Sequence, residues 1–169
     1  LGIEPLKSAD WSSKFVTLNE LLETAYKWRD NGETFAFTNG VFDLIHRGHI
    51  HSLEKAASFA DHLIVGINSD RSARELGKES GRPIHDEKDR AACVAAMGMV
   101  DRVILFDEPT PYELLSELKP DVLVKGGDYR LEDIIGREFA QQVKIVERIE
   151  GLSTSDIVKK IRGLDKPHV

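Results

Sequence analysis

At 169 residues the chain is long enough to bury the core of one domain without disulfide or metal staples. Its net charge of −6 argues against nonspecific nucleic-acid binding, which needs Lys and Arg to neutralise phosphates, and its single cysteine, Cys93, excludes an internal disulfide. No apolar run approaches the roughly 20 residues that span a bilayer, and the mixed, polar stretch Leu1–Lys14 does not read as a signal peptide. A cytoplasmic protein acting on small molecules is expected, with no nucleic-acid or membrane partner and with a homodimer left open. Because the first residue is Leu rather than Met, a fused upstream domain is also left open.

Residues 1–16 read as an irregular lead-in. Thr17-Leu-Asn-Glu20 is a capping box, and Leu18, Leu21, Leu22, Ala25 and Trp28 continue it at helical spacing until Asn31-Gly32. Residues 34–38 are expected as the first strand, ending at Thr38-Asn39-Gly40. A helix follows from about Gly48 to Ala60. Leu63–Ile67 is a nearly continuous apolar run of the kind found in buried parallel strands, and Asn68-Ser-Asp70 ends it. Arg71–Pro83 reads as a charged, glycine-containing loop whose Arg71, Arg74, Lys78 and Arg82 form either a solvated face or a lid over anions. Next come a helix from Asp86 to Met97 and a third strand at Val103–Phe106. Cys93 lies in the Ala-rich part of that helix and is expected to be buried packing. Thr110-Pro-Tyr-Glu113 reads as a second capping box, with Pro at the first helical position. Val122–Val124 and Val143–Val146 are the fourth and fifth strands, and Ser153-Thr-Ser-Asp156 caps a final helix. Strands alternating with helices imply right-handed crossovers and a Rossmann-like α/β fold, a doubly wound parallel sheet of about five strands. Ligands in such sheets bind beyond the carboxyl ends of the strands.

The stretch Thr38-Asn-Gly-Val-Phe-Asp-Leu-Ile-His-Arg-Gly-His49 is the most informative in the chain. An apolar strand stops at Asn-Gly, and two histidines three apart then open a helix, where free N–H groups and the dipole favour anions. His46 and His49 can face the same way and donate to triphosphate oxygens. Alone, such a pair would more often be two surface histidines; after a strand ending in TNG it reads as a polyphosphate site. Zinc on His46, His49 and His51 is disfavoured, since His51 should point away and no supporting Cys cluster or HExxH pattern exists. Gly40 allows close backbone approach, Asn39 offers an amide, and Asp43 is either a helix-lead cap or a substrate contact. Lys125-Gly126-Gly127-Asp128 ends a buried strand, so its lysine meets the crevice. Gly151–Ser155 is either a plain cap or a second phosphate cradle. No P-loop and no GxGxxG follows the first strand, which disfavours Walker-type kinases and dinucleotide oxidoreductases.

TNGVFDLIHRGHI, VGINSD, GRPIHDEKDRAA, VDRVILFDEPTP, PDVLVKGGDY and EGLSTSDIV occur together and in this order. The chain thereby resembles the cytidylyltransferase-like nucleotidyltransferases over about residues 33–163. Phe106-Asp-Glu-Pro-Thr-Pro111 and Lys125-Gly-Gly-Asp-Tyr129 resemble the sugar-phosphate adenylyltransferases within that family. Arg148-Ile-Glu-Gly151 is more similar to the glycerol-3-phosphate cytidylyltransferases, and Ser155 replaces the usual second Thr of a Ser-Thr-Thr ending. The resemblance implies a division into an N-terminal lead-in and helix (1–33), a nucleotidyltransferase domain (34–163) and a tail (164–169). It implies magnesium-dependent transfer of AMP from ATP to a sugar 1-phosphate, D-glycero-β-D-manno-heptose 1-phosphate, with release of pyrophosphate, for lipopolysaccharide precursor synthesis. It assigns catalysis to His46, His49, Lys125 and Arg90. Nucleotide binding falls to Thr38, Asn39, Gly40, Phe42, Gly48, Ser153 and Thr154, and substrate binding to Asp43 and Asp128. No protein ligand for magnesium is implied. Cytidylyl transfer to glycerol 3-phosphate and a non-catalytic nucleotide sensor are the alternatives.

Overall fold

The computed structural model describes residues 10–77, 81–127, 129–149 and 151–164. Five strands, β1 (Phe35–Gly40), β2 (His62–Asn68), β3 (Arg102–Phe106), β4 (Val122–Gly126) and β5 (Gln142–Val146), form one sheet in the order β3-β2-β1-β4-β5. All four pairings are parallel, as the strand–helix alternation predicts. The order reverses at β1, so the crevice beyond its carboxyl end is the topological switch point of the sheet.

Period-two side-chain alternation splits the strands between two cores. Ala36, Val65, Val103 and Val124 pack on one face with Leu53 and Ala56 of α2 (Arg47–Ala57) and Ala91 and Val94 of α4 (Glu87–Ala95). Phe35, Phe37, Ile64 and Leu123 pack on the other, with Leu21, Ala25 and Trp28 of α1 (Leu18–Asp30) and Leu114, Leu115 and Leu118 of α5 (Tyr112–Leu118). At the amino ends, Asp61, Asp121 and Asp101 accept from the backbone N–H groups of Thr34, Phe35 and Leu63 at 2.8, 2.9 and 2.8 Å. Each satisfies a donor that the sheet leaves unpaired where a neighbouring strand begins.

The capping box at Thr17 forms in full: its hydroxyl accepts from Glu20 N–H while the Glu20 carboxylate accepts from Thr17 N–H. The expected box at Thr110–Glu113 does not form. Pro111 is the N-cap of α5 and makes no side-chain cap, and Thr110 lies against the crevice instead. The segment read as a charged loop contains a further helix, α3 (Asp70–Glu75), begun by the Ser69 hydroxyl, which accepts from Ser72 N–H at 3.1 Å. Its single turn and a half is too short to show an apolar period. Cys93 is exposed rather than buried. The inner face of α4 is taken by Arg90, Ala91, Val94 and Ala95, and Cys93 falls on the other side, so alanine-rich neighbours did not mean burial all round. The tail beyond residue 164 lies outside the described residues.

Candidate active site

A cavity of about 710 Å³ opens at the carboxyl ends of the strands. It brings together residues far apart in sequence: Thr38, Asn39 and Gly40 of β1, Phe42 and Asp43 beyond it, His46, Gly48 and His49 of the α2 start, Lys125 of β4, and Ser153 and Thr154 before and within α6 (Thr154–Leu164). Of the residues singled out from the sequence, Arg90 does not line it, and Asp128 lies outside the described residues.

His46 is itself the N-cap of α2. Its Nδ1 accepts from the backbone N–H of Gly48 at 3.1 Å. An accepting Nδ1 carries no proton, so the neutral ring carries its proton on Nε2. Burial lowers its pKa from 6.5, with the Asp156 charge opposing, which keeps this neutral form in place. The His49 ring stacks on His46 with centroids 3.9 Å apart, and Phe42 packs against His49 at 5.4 Å. Phe42 holds a left-handed backbone conformation, φ 51°, which folds its ring back over Gly40. Phe42 is buried at 8% exposure and acts as a wall for His49, not as an open ligand surface. A Cβ at Gly48 would sit 2.9 Å from His46 Cε1, so this glycine is required by the histidine ring as well as by any phosphate.

Lys125 leaves the end of β4 and donates from Nζ to Asn39 Oδ1, which ties two neighbouring strand ends together. Burial lowers its pKa from 10.5 to about 8. The next turn runs through Gly127 at φ 127°, and the Arg148 guanidinium lies where a Gly127 Cβ would be, with Nε at 2.9 Å. Arg148, just beyond β5, thus enters the cavity across a backbone that only glycine allows. Ser153 caps α6, its hydroxyl accepting from Asp156 N–H at 3.1 Å, and Thr154 is buried beside it.

Two of the expected site residues are bonded within the protein. The Arg90 side chain is fully buried: it donates to Val41 O at 2.6 Å, to His85 O at 3.1 Å and to Asp70 Oδ1 at 2.9 Å. It joins the β1 exit, the α4 lead-in and α3, and so positions the site from behind. Asp43 is likewise committed. Its Oδ1 accepts from Ile84 and His85 N–H at 2.8 and 3.0 Å, and its Oδ2 pairs with Arg82 Nε at 2.9 Å. The buried carboxylate thus accepts three bonds from the 82–85 segment while Asp43 also lines the cavity. Of the expected lid cations, Arg82 reaches the cavity between Asp43 and Ser155 Oγ (3.4 Å), and Arg74 lines it from α3. Arg71 turns away to Asp107, and Lys78 lies outside the described residues. Arg148, Arg82, Arg74 and Asn68 are polar lining residues beyond the assigned set. Asn68 and Arg148 stand at or just past strand ends, a signal that the strand-end rule alone could have supplied.

Among the described residues no three His, Cys, Asp or Glu side chains are grouped as a candidate metal site. Nor is any helix long and apolar enough to cross a membrane.

The family model for cytidylyltransferase-like proteins matches residues 37–160. The chain is 51% identical over 152 residues to the bifunctional protein HldE of Koribacter versatilis, covering 88% of this chain and 31% of that protein. It is 45% identical over 163 residues to HldE of Campylobacter fetus, covering 95% and 34%. The chain therefore spans about a third of the length of these curated relatives. The crystal structure of a lipopolysaccharide core biosynthesis protein from Thermoplasma volcanium superposes with a TM-score of 0.58 at 35% identity, covering 70% of this chain and 98% of that one. With the strand order, the histidine pair at the α2 start and these matches in agreement, the chain belongs to the cytidylyltransferase-like family.

Proposed function

We propose that the protein is a nucleotidyltransferase that moves AMP from ATP to a sugar 1-phosphate, D-glycero-β-D-manno-heptose 1-phosphate, releasing pyrophosphate. The observation that carries the reading is the neutral His46, fixed by Gly48 N–H with its Nε2–H available, stacked on His49 and facing a cavity that Lys125 also enters. The adenine and heptose assignments rest on the resemblance of Lys125-Gly-Gly-Asp-Tyr129 and Phe106–Pro111 to the sugar-phosphate branch. The Thermoplasma volcanium neighbour, a lipopolysaccharide core biosynthesis protein, supports the same direction.

In this reaction an oxygen of the acceptor phosphate attacks the α-phosphorus of the nucleotide. The new P–O bond forms as the bond to the α,β-bridging oxygen breaks, and pyrophosphate leaves with that electron pair. A phosphate dianion is already a nucleophile, so no general base is needed. Catalysis is then positioning and charge stabilisation. His46 Nε2–H and His49 stabilise charge on the transferring and leaving phosphates, Lys125 supplies a cation held by Asn39, and the α2 amides add their dipole. Magnesium, as the resemblance implies, would be carried by the triphosphate and would supply charge neutralisation at its phosphates beside His46, His49 and Lys125. Synthesis of a sugar nucleotide in the cytoplasm from small-molecule substrates belongs to the same reading.

A second reading has one observation in its favour. Arg148, in the stretch that resembles the cytidylyltransferases of glycerol 3-phosphate, reaches the cavity beside Gly127. Pyrophosphate release separates the two when ATP and CTP are each assayed with heptose 1-phosphate and with glycerol 3-phosphate. The expected outcome is activity with ATP and heptose 1-phosphate; preference for CTP shifts the assignment to the second reading. No release with any pair would leave a nucleotide-binding protein.

A further inference from the structure

The starts of α2 and α6 meet at the cavity. A Cβ on Gly48 would lie 3.6 Å from Leu152 Cβ, so the two helix starts abut. Ser153, Thr154 and Ser155 line the cavity along with His46, Gly48 and His49. Each start carries N–H groups without intrahelical partners and the positive end of a helix dipole. Two like poles side by side repel unless an anion lies near them. The chain supplies one itself in Asp156, within the first turn of α6.

The three hydroxyls of this cradle are engaged differently. Ser153 Oγ donates to Asp156 Oδ2 at 2.7 Å and accepts from Asp156 N–H at 3.1 Å, which uses its only proton. Ser155 Oγ accepts from Arg82 at 3.4 Å and keeps its proton for a further acceptor. Thr154 is buried in the cavity wall. Ser153 can therefore donate to a phosphate only by releasing Asp156. A carboxylate and a phosphate compete here because both are anions that a helix start favours. The same carboxylate acts on His46: burial lowers the pKa of that ring, and the Asp156 charge opposes the shift. His49 stacks on the ring, Arg82 stands at Ser155 with its charge paired by Asp43, and Lys125 and Arg148 line the same cavity.

We propose that Asp156 is a positioning residue that sets nucleotide affinity: its carboxylate is an internal counter-anion for the start of α6, and a triphosphate must take Ser153 from it. Asp156 thereby keeps the triphosphate, and the pyrophosphate formed from it, from binding too tightly. Tighter binding of substrate and transition state alike would not speed the chemical step, so this loss of affinity costs no turnover. The inference rests on the nucleotidyltransferase reading and adds to it a residue that works against binding.

The test is the affinity of the full chain for ATP and for pyrophosphate, measured by calorimetry in Asp156→Asn, Asp156→Ala and Asp156→Glu. Asn keeps an acceptor for the Ser153 hydroxyl while removing the charge. The Kd of both ligands should then fall about twofold to fivefold, the scale of one charge at a helix end. Ala, which also releases Ser153, should tighten binding at least as much. Glu keeps the charge and the capping pattern and should restore wild-type affinity. In Asp156→Asn the His46 ring, followed by NMR, should titrate at lower pH than in the wild type. A residue that only caps α6 would do the opposite, because its loss frays the cradle and weakens both ligands. Unchanged or weaker binding in both Asp156→Asn and Asp156→Ala, or an unmoved His46 titration, would overturn the proposal and leave the overall reaction standing. Wild-type protein that binds neither ATP nor pyrophosphate would overturn both.

Discussion

The imidazole of His46 does two jobs with its two nitrogens. Nδ1 ends the backbone of α2 by accepting from Gly48 N–H, and this commits Nε2–H to the cavity. Replacing His46 or His49 with Ala should lower turnover about 10²–10³-fold, the scale of losing one transition-state donor. Thermal melting should show the fold intact, and near-normal turnover in both variants would remove them from the chemistry. Lys125 makes a pH-dependent prediction. Burial holds its folded pKa at about 8, below the ordinary 10.5, so between those values the unfolded chain binds the extra proton. Lys125 therefore makes the ligand-free protein more stable as pH rises through that window, and costs stability below it. A bound triphosphate favours the charged amine, so ATP binding at about pH 8.5 should take up a proton. Calorimetry in two buffers of different ionisation enthalpy measures this uptake, and Lys125→Met should abolish it.

At the scale of elements, the start of α2 shows local preference and site geometry pulling in opposite directions. Glycine inside a helix costs about 0.5–1 kcal/mol relative to alanine. Gly48→Ala should recover part of that, yet its Cβ would meet His46 Cε1 at 2.9 Å and push the ring from its place. The expected outcome is a protein of near-wild-type stability by chemical denaturation, the lost His46 cap offsetting the helix gain, whose turnover falls at least about tenfold, as for a displaced transition-state donor. Unchanged turnover would mean that the ring position is not critical. The same tension explains why some elements were legible in sequence and others were not. The Thr17 box and the Ser153 cap depend on contacts three residues apart, and both form. Thr110-Pro-Tyr-Glu113 has the same local pattern, but the segment is drawn onto α3 by Ser72 and Asp107, and its cap is lost. Tertiary bonds outweighed a cap interaction of about 1 kcal/mol.

Across the whole molecule, Arg90 links three segments that converge only on folding: Val41 after β1, His85 before α4 and Asp70 at α3. Arg90→Met should leave Asp70 and two carbonyls without their cation, and should destabilise the fold by about 3 kcal/mol, as breaking a buried pair does. Denaturation midpoints check this, and a wild-type midpoint with abolished turnover would return Arg90 to direct chemistry. The sequence by itself determined the parallel α/β fold, because apolar strand runs and helix caps are local and periodic. It also pointed to the cavity, because TNG, the histidine pair and Lys125-Gly-Gly all sit at strand ends. Only the tertiary structure decided which polar groups face the cavity and which are consumed behind it. Arg90 and Asp43 read as site residues in one dimension, but both are buried and bonded to segments as far as 49 residues away in sequence. Arg74 and Arg82, which read as either a solvated face or a lid, reach the cavity because α3 and the Asp43 pair carry them there. Hydrogen-bond satisfaction across such distances is a property of the folded packing, and no local pattern encodes it.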